Sequence, residues 1–384
     1  MSKRGFARAA AAFALAAVLF ITAPFTAWAA GSITLTFVRH GESQANADGV
    51  IDTRVPGPDL TAIGRQQALD VDDALTANGT AYDGIYVSNM IRTRQTADPF
   101  VAATGLPVDV LPGLREINAG IYEGAPQDSG LQRILYAFPA IAWTLGLRFV
   151  PILGSTDYNG SEFEARTDTA IQTIYDSGDI NPVAFSHGLT ISTWTVMNVT
   201  NPDPLLILTH PLGNTAVVVV TGNPTDGWTL RSWDGIAVDP NPALPTKLFV
   251  DFRNLVVAPQ TAIFNVRRAL ATGDPARIAE AVREGIVDVT TAAVTFPVAV
   301  TRDVVDAVRG ASPDQVTPVA PAVRAADTTI KADETVDDAL RPHATTSPTK
   351  PLETGDGAAR EAVRDGQVRD RGRRRAGRDA PGRA

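Results

Sequence analysis

Three short stretches of this chain gather the residue types that can hold and react with an anion. The first is Leu35-Thr36-Phe37-Val38-Arg39-His40-Gly41-Glu42-Ser43, with Asn46 three residues further on. Its apolar run stops abruptly at Arg-His-Gly, the pattern of a buried strand that delivers a guanidinium and an imidazole to its C-terminal end. Ligands of open α/β sheets bind at that edge. Gly41 lets the backbone turn and come close to a ligand, while Ser43 and Asn46 offer further hydrogen bonds. The second stretch is Ser88-Asn89-Met90-Ile91-Arg92, which puts Arg92 in the first turn of a helix. The free N–H groups and dipole of a helix start favour an anion, and a guanidinium adds a fixed fork of donors. The third is Ser186-His187-Gly188, closing another apolar run. Arg39 and Arg92 together can hold the three equatorial oxygens of a transferring phosphoryl group, a reaction governed mostly by positioning and charge stabilisation.

These residues need a sheet and helix ends to hold them. After the first strand, apolar spacing predicts a helix from Asp59 to about Leu75, closed by Asn78-Gly79. A strand over Tyr82–Val87 follows, then a helix from about Met90 to Thr104 capped by Ser88-Asn89, and a short strand at Val108–Val110. Ser161–Asp176 reads as a helix, Pro182–Phe185 as a buried strand, and Leu189–Val199 as the helix after it. Asn214–Val220 and Trp228–Trp233 pair around a turn at Pro224-Thr225-Asp226-Gly227. Such alternation of strand and helix predicts an α/β fold with a mostly parallel sheet. Residues 125–160 break the rhythm with Tyr136, Phe138, Trp143 and Phe149, either a helix on the main core or an apolar lid over the site. From Asn241 the chain is helical, with Asp274-Pro275 opening a segment whose Ile278, Val282, Ile286, Val289 and Ala293 share a face, Pro297 interrupting it, and a short last helix from Val298 to Arg309. That face is expected to pack on a core, with an envelope membrane as the alternative.

The composition, 44% apolar and 20% charged over 384 residues, is that of a globular protein with one large domain and appendages. Lys3, Arg4 and Arg8 precede the apolar run Ala9–Ile21, and Ala27-Trp28-Ala29 supplies small residues where a signal peptidase reads. Residues 1–29 are therefore expected to be a secretory signal peptide, and the protein to be secreted or held in the cell envelope. Ser2-Lys3-Arg4-Gly5-Phe6 is similar to a twin-arginine export signal with Lys in place of one Arg. With no cysteine, the chain has neither disulfides nor thiolate chemistry. The net charge of −8 understates the acidity of the body, because both termini are basic; such a body is a poor nucleic-acid binder. Beyond Ser312, Pro, Thr, Ala, Asp and Arg dominate, so 312–384 is expected to be disordered.

The motifs resemble the histidine phosphatase superfamily, in the phosphoglycerate mutase-like branch, over about residues 31–235. The matching stretches, in order, are Arg39-His40-Gly41-Glu42-Ser43 with Asn46, Leu60-Thr61-Ala62-Ile63-Gly64, Ser88 to Ala97, Leu114-Arg115-Glu116 with Gly120 and Glu123-Gly124, and Ser186-His187-Gly188. The resemblance implies a three-layer α/β/α catalytic domain over 30–240; it says nothing about residues 241–384, where the chain's own pattern gives the helical extension over 241–311. It further implies that His40 is the nucleophile and becomes phosphohistidine, that Arg39, Arg92 and His187 bind the phosphoryl oxygens together with Gly41, Ser43 and Asn46, and that Glu116 is the general acid and base. Glu123 lies close enough in sequence to compete for that last role. No cofactor is implied, and two His without a third ligand make a poor metal site. The expected activity is hydrolysis of a small phosphate ester, and the aromatic insertion suits one with an apolar portion. A mutase and a catalytically idle envelope protein are the alternatives.

Overall fold

The computed structural model describes residues 31–310. The expected signal peptide at 1–29 and the expected disordered tail at 312–384 lie outside the described residues. The elements are β1 (Ile33–Arg39), α1 (Gln44–Ala47), α2 (Ala62–Ala77), β2 (Gly84–Val87), α3 (Ile91–Thr104), β3 (Val108–Val110), α4 (Gly130–Thr144), α5 (Gly160–Asp176), β4 (Pro182–Ser186), α6 (Gly188–Asn198), α7 (Pro204–Thr209), β5 (Val217–Asn223), β6 (Gly227–Trp233), β7 (Ile236–Ala237), α8 (Leu244–Thr272) and α9 (Pro275–Arg309).

The strands form one sheet in the order β3-β2-β4-β1-β5-β6-β7. The first four are mutually parallel and the last three antiparallel, so the sheet is mixed. Alternation along β1 sends Leu35 and Phe37 to one face, where they join Trp143, Phe163 and Trp194, and Val38 to the other, with Val71, Leu75 and Phe100. Helices α4, α5 and α6 therefore cover one face and α2 and α3 the other, a three-layer α/β/α domain. Because Arg39 pairs with Ser186 and Val87 with Phe185, β1, β4 and β2 end level with one another. Three polar stretches thus leave the sheet at one edge.

Several boundaries move for local reasons. Strand β5 begins at Val217 instead of Asn214, because Asn214 and Thr215 form a turn, with Thr215 at φ 57°, that bonds to the His40 carbonyl. The aromatic insertion contains the single helix α4, which packs on the core through Tyr136 and Trp143. Trp143 stacks on Phe163 at 5.7 Å and donates to the Val150 carbonyl. Phe138 and Phe149 are exposed instead.

Helices α8 and α9 form a long hairpin. Pro297 does not end α9, which runs on to Arg309. The proline removes one backbone donor, but it and Ala293, whose carbonyl loses that partner, are both exposed, so water can replace the bond. Nor is the expected apolar face of α9 a core face: Gly285 is buried against Ala262 of α8, whereas Val282 and Ile286 are exposed. The hairpin is anchored by Arg253, only 4% exposed, whose guanidinium donates to the Val196 and Val199 carbonyls at the end of α6, at 2.7 and 3.1 Å. Gln260 adds a bond to the Gly146 carbonyl.

Candidate active site

His40 leaves β1 with its ring orientation fixed by the chain beside it. Nδ1 lies 2.7 Å from the Gly41 carbonyl, and a carbonyl only accepts, so Nδ1 carries the proton of the neutral ring. The lone pair is then on Nε2, and Arg92 Nε donates to it at 3.0 Å. Burial, and after it the charges of Arg92 and Arg39, hold the His40 pKa well below the ordinary histidine value. The imidazole is therefore neutral, with its nucleophilic nitrogen turned towards a guanidinium.

The turn behind His40 depends on two close backbone approaches. A Cβ on Gly41 would collide with the Gly64 carbonyl, and one on Gly64 with the Glu42 carbonyl. Thr61, the N-cap of α2, donates its hydroxyl to the Glu42 carboxylate and accepts from Gly64 N. The Leu-Thr-Ala-Ile-Gly stretch is thus the cradle of the His40 turn. Gly41 N donates to Thr96 on α3.

Around the histidine stand three donors without a partner: Arg39 Nε, Arg92 Nη1 and His187 Nδ1 are all buried and make no hydrogen bond. Buried donors without a partner are costly, and here they sit on the side chains expected to meet the phosphoryl oxygens. Arg92 is 3% exposed, and burial pushes its pKa down to about 10. Arg39 is steadied by one bond from Nη1 to the Leu212 carbonyl, at 2.6 Å, and Gly188 leaves room for its guanidinium. His187, wholly buried, lies edge-on to His40 with ring centroids 5.1 Å apart, and its Nε2 bonds to Ser88 Oγ at 2.9 Å. When Ser88 donates in that bond, the neutral ring carries its proton on the unpartnered Nδ1.

Glu116 joins this group through the first turn of α6. Its Oε1 accepts from Ile117 N, Thr190 N and the Thr190 hydroxyl, and its Oε2 from Leu189 N at a longer 3.2 Å. The helix that begins at His187 therefore also orients the carboxylate. The loop bearing Glu116 is gripped by Asp157, 1% exposed, which pairs with Arg115 and Arg166 and accepts from Asn118 N. Arg166 in turn donates to the Gly113 carbonyl. Glu123 is committed elsewhere: both oxygens staple Thr53, one to its N–H and one to its hydroxyl.

The structure thus brings His40, Arg39, Arg92, His187 and Glu116 together. Ser43 and Asn46 form a capping box on α1, and Asn46 also bonds to Gln127, so these two shape the loop after His40. Ser88, which heads the second stretch, supports the site together with Thr93, and Thr190, Asn214 and Thr96 do so without having been singled out for it. Thr190 was the findable one, a hydroxyl three residues after His187 on the expected first turn. Among the described residues no group of three or more His, Cys, Asp or Glu could hold a metal ion.

A profile of the histidine phosphatase superfamily, branch 1, matches residues 35–235. This chain belongs to that superfamily. The match spans every residue of the cluster and stops before the α8–α9 hairpin. Among curated relatives, the PE-PGRS family protein PE_PGRS11 of Mycobacterium tuberculosis is 52% identical over 288 residues, covering 72% of this chain and 49% of the relative. The adenosylcobalamin/alpha-ribazole phosphatase of Escherichia coli is 37% identical over 89 residues, 23% of this chain and 42% of the relative. A probable phosphoglycerate mutase, GpmB of Yersinia enterocolitica, is 40% identical over 92 residues, 24% of this chain and 41% of the relative. The chain spans less than half the length of each of these relatives. Among solved structures, a mycobacterial glucosyl-3-phosphoglycerate phosphatase in complex with VO3 is similar at TM-score 0.42 and 20% identity, over 53% of this chain and 98% of the other. The alpha-ribazole phosphatase of Shigella flexneri is similar at TM-score 0.41 and 21% identity, over 54% and 98%.

Proposed function

We propose that this histidine phosphatase superfamily member is an exported phosphomonoester hydrolase that works through a phosphohistidine on His40. The observation that carries the reading is the His40 ring itself: neutral, its proton tied to a backbone carbonyl, and its lone-pair nitrogen held by Arg92 Nε beside the unpartnered atoms Arg92 Nη1, Arg39 Nε and His187 Nδ1. In the first step Nε2 bonds to phosphorus while the ester P–O bond breaks, and Glu116 gives its proton to the departing oxygen. Oε2, with its single long bond, is the oxygen with capacity to carry that proton. In the second step water attacks the phosphohistidine, Glu116 takes the water's proton, and inorganic phosphate leaves with Nε2 restored as the neutral lone-pair nitrogen. Throughout, Arg39, Arg92 and His187 bind the phosphoryl oxygens, and their donors strengthen as charge moves onto those oxygens.

The substrate proposed is a small phosphate ester. Tyr136 is the one insertion aromatic tied to the acid's loop, donating to the Ile117 carbonyl at 2.6 Å, so any apolar portion of the substrate would meet α4 there. Trp143, wholly buried, cannot touch it. Export rests on the composition of residues 1–29. A mutase reading is favoured by one observation, the similarity to proteins named as probable phosphoglycerate mutases. One assay separates the two: release of inorganic phosphate from p-nitrophenyl phosphate and from 3-phosphoglycerate, with and without a bisphosphate primer. A hydrolase releases phosphate without the primer. Interconversion of the phosphoglycerates that depends on the primer, with little release, would replace this reading by the mutase.

A further inference from the structure

The segment that carries Glu116 is buried without being regular. Residues 115–119 belong to no helix or strand, yet the side chains of Ile117 and Ala119 are wholly enclosed. Irregular chain normally runs over the surface, where water satisfies its carbonyls. Here side chains take the place of water, one carbonyl after another. Arg166 on α5 donates to the Gly113 carbonyl at 2.6 Å and to the Glu116 carbonyl at a longer 3.4 Å. Ser186, at the end of β4, holds the Leu114 carbonyl at 2.7 Å, and the Thr190 hydroxyl on α6 lies 2.8 Å from the carbonyl of Arg115. Tyr136 on α4 donates to the Ile117 carbonyl and Ser155 to that of Asn118, both at 2.6 Å. Every carbonyl from Gly113 to Asn118 is thus held by a side chain from outside the segment.

Tyr136 and Ser155 belong to the aromatic insertion, and so does Asp157, which grips Arg115 and the Asn118 N–H. These contacts bear on the carboxylate directly. Ile117 N donates to Glu116 Oε1 at 2.9 Å, so the residue whose carbonyl Tyr136 holds is also one that orients the acid. Burial, and after it the charges of Glu116 and Glu123, hold the Tyr136 pKa well above the ordinary tyrosine value, so its hydroxyl stays a neutral donor. Ser155 Oγ also accepts from Asp157 N, which ties the two contacts on Asn118 into one turn. A lid has to come away in each cycle, whereas α4 is fixed by Tyr136, Ala140 and Trp143, all buried in the main core. Such fixing matters for a proton donor, because a misplacement of about 1 Å in a catalytic group can cost about 10²-fold in rate.

We propose that the insertion over residues 125–160 is a fixed brace for the general acid, with Tyr136 and Ser155 as positioning residues that act on Glu116 through Ile117 and Asn118. The proposal rests on the acid role given to Glu116 above. The test compares the full chain with its Tyr136→Phe and Ser155→Ala variants, changes small enough to keep the fold, which calorimetry checks. Amide hydrogen exchange over residues 115–119 should quicken about tenfold in either variant, with that of β1 unaltered. kcat for an alkyl phosphate should fall about five- to tenfold, while kcat for p-nitrophenyl phosphate changes by less than about twofold, because only the first leaving group needs the proton. In a Glu116→Gln background the same substitutions should have no further effect on the alkyl phosphate, since the group they position is gone. Equal losses on both substrates, a loss that persists in the Gln background, or faster exchange with unchanged turnover of the alkyl phosphate would overturn the proposal. So would exchange and rates like those of the wild type in both variants. Glu116→Gln alone slowing both substrates equally is a separate result: it would refute the acid reading and take the brace with it.

Discussion

The catalytic edge and the α8–α9 hairpin handle polarity in opposite ways. At the edge, charged and titratable groups are forced inside: His40, Arg92 and His187 are all less than 5% exposed, and donors stay unpartnered among them. In the hairpin, apolar groups are forced outside, with Ile286, Val294, Val298 and Val308 all more than 60% exposed. Each is a local cost: unpartnered buried donors are satisfied only when an acceptor reaches them, and exposed apolar surface only when something covers it. A fold bears such costs where the rest of its core overdetermines the structure. Here the sheet and its two hydrophobic layers supply that excess, and α6 links the regions, since its first turn orients Glu116 and its last turn is held by Arg253.

If the edge is chemical and the hairpin is not, substitutions should divide cleanly. His40→Ala should remove hydrolysis by a factor on the order of 10⁴ or more with the melting temperature preserved or raised, as measured by initial rates and calorimetry. Arg92→Ala removes a donor from the developing charge and should cost about 10²–10³ in kcat. Glu116→Gln should slow an alkyl phosphate by about 100-fold and p-nitrophenyl phosphate far less, because the second leaving group needs little protonation; equal losses would make Glu116 a binding residue. Arg253→Met gives the contrasting result. It removes two buried bonds at the end of α6 and should cost roughly 2–3 kcal/mol in denaturant unfolding, while kcat stays within a few-fold. A large fall in kcat with unchanged stability would show that the hairpin takes part in the chemistry.

The smallest effect lies in the pH dependence of stability. His40 and His187 are held well below the ordinary histidine value, first by burial and next by Arg92, so below that value the unfolded chain binds the extra protons and stability falls with pH. Asp168, pushed up to about 7 by burial and by Glu164, works the other way: the native state holds its proton, and stability falls as pH rises towards 7. Between pH 5 and 6 the two histidines make stability rise with pH and Asp168 opposes them, so the rise should be steeper in Asp168→Asn. Denaturant midpoints at the two pH values measure both slopes.

Legibility in the sequence followed the same division. Arg39, His40, Arg92 and His187 were readable because a buried strand or a helix start that ends on a charged residue has few packing explanations, and the register of β1, β2 and β4 then brings them together. Supports such as Thr190, Thr96 and Asn214 were not readable, because a hydroxyl or amide in a turn looks the same whether it caps a helix or steadies a carboxylate. The role of Ser43 and Asn46 was ambiguous for that reason, and the capping box is where the structure puts both side chains. In the hairpin, periodicity identified α9 but misassigned its faces, since Val, Ala and Thr occur on both sides and only the contact at Gly285 distinguishes the inner one. Pro297 misled for a related reason. Its cost depends on whether the freed carbonyl is solvated, which the sequence does not say.

The central claim is that His40 Nε2 carries the phosphoryl group, and the most direct measurement is an alkaline quench during turnover followed by peptide mass spectrometry and phosphorus NMR. Phosphate bound to nitrogen survives base and is lost in acid. The account predicts up to one such phosphate per chain, on the peptide containing His40, in the wild type and in greater yield in Glu116→Gln with p-nitrophenyl phosphate, where a weakened base slows breakdown of the intermediate. A base-labile phosphate on a carboxylate, or steady turnover with no phosphate on His40 at any quench time and a single-turnover burst that is likewise absent, would contradict it.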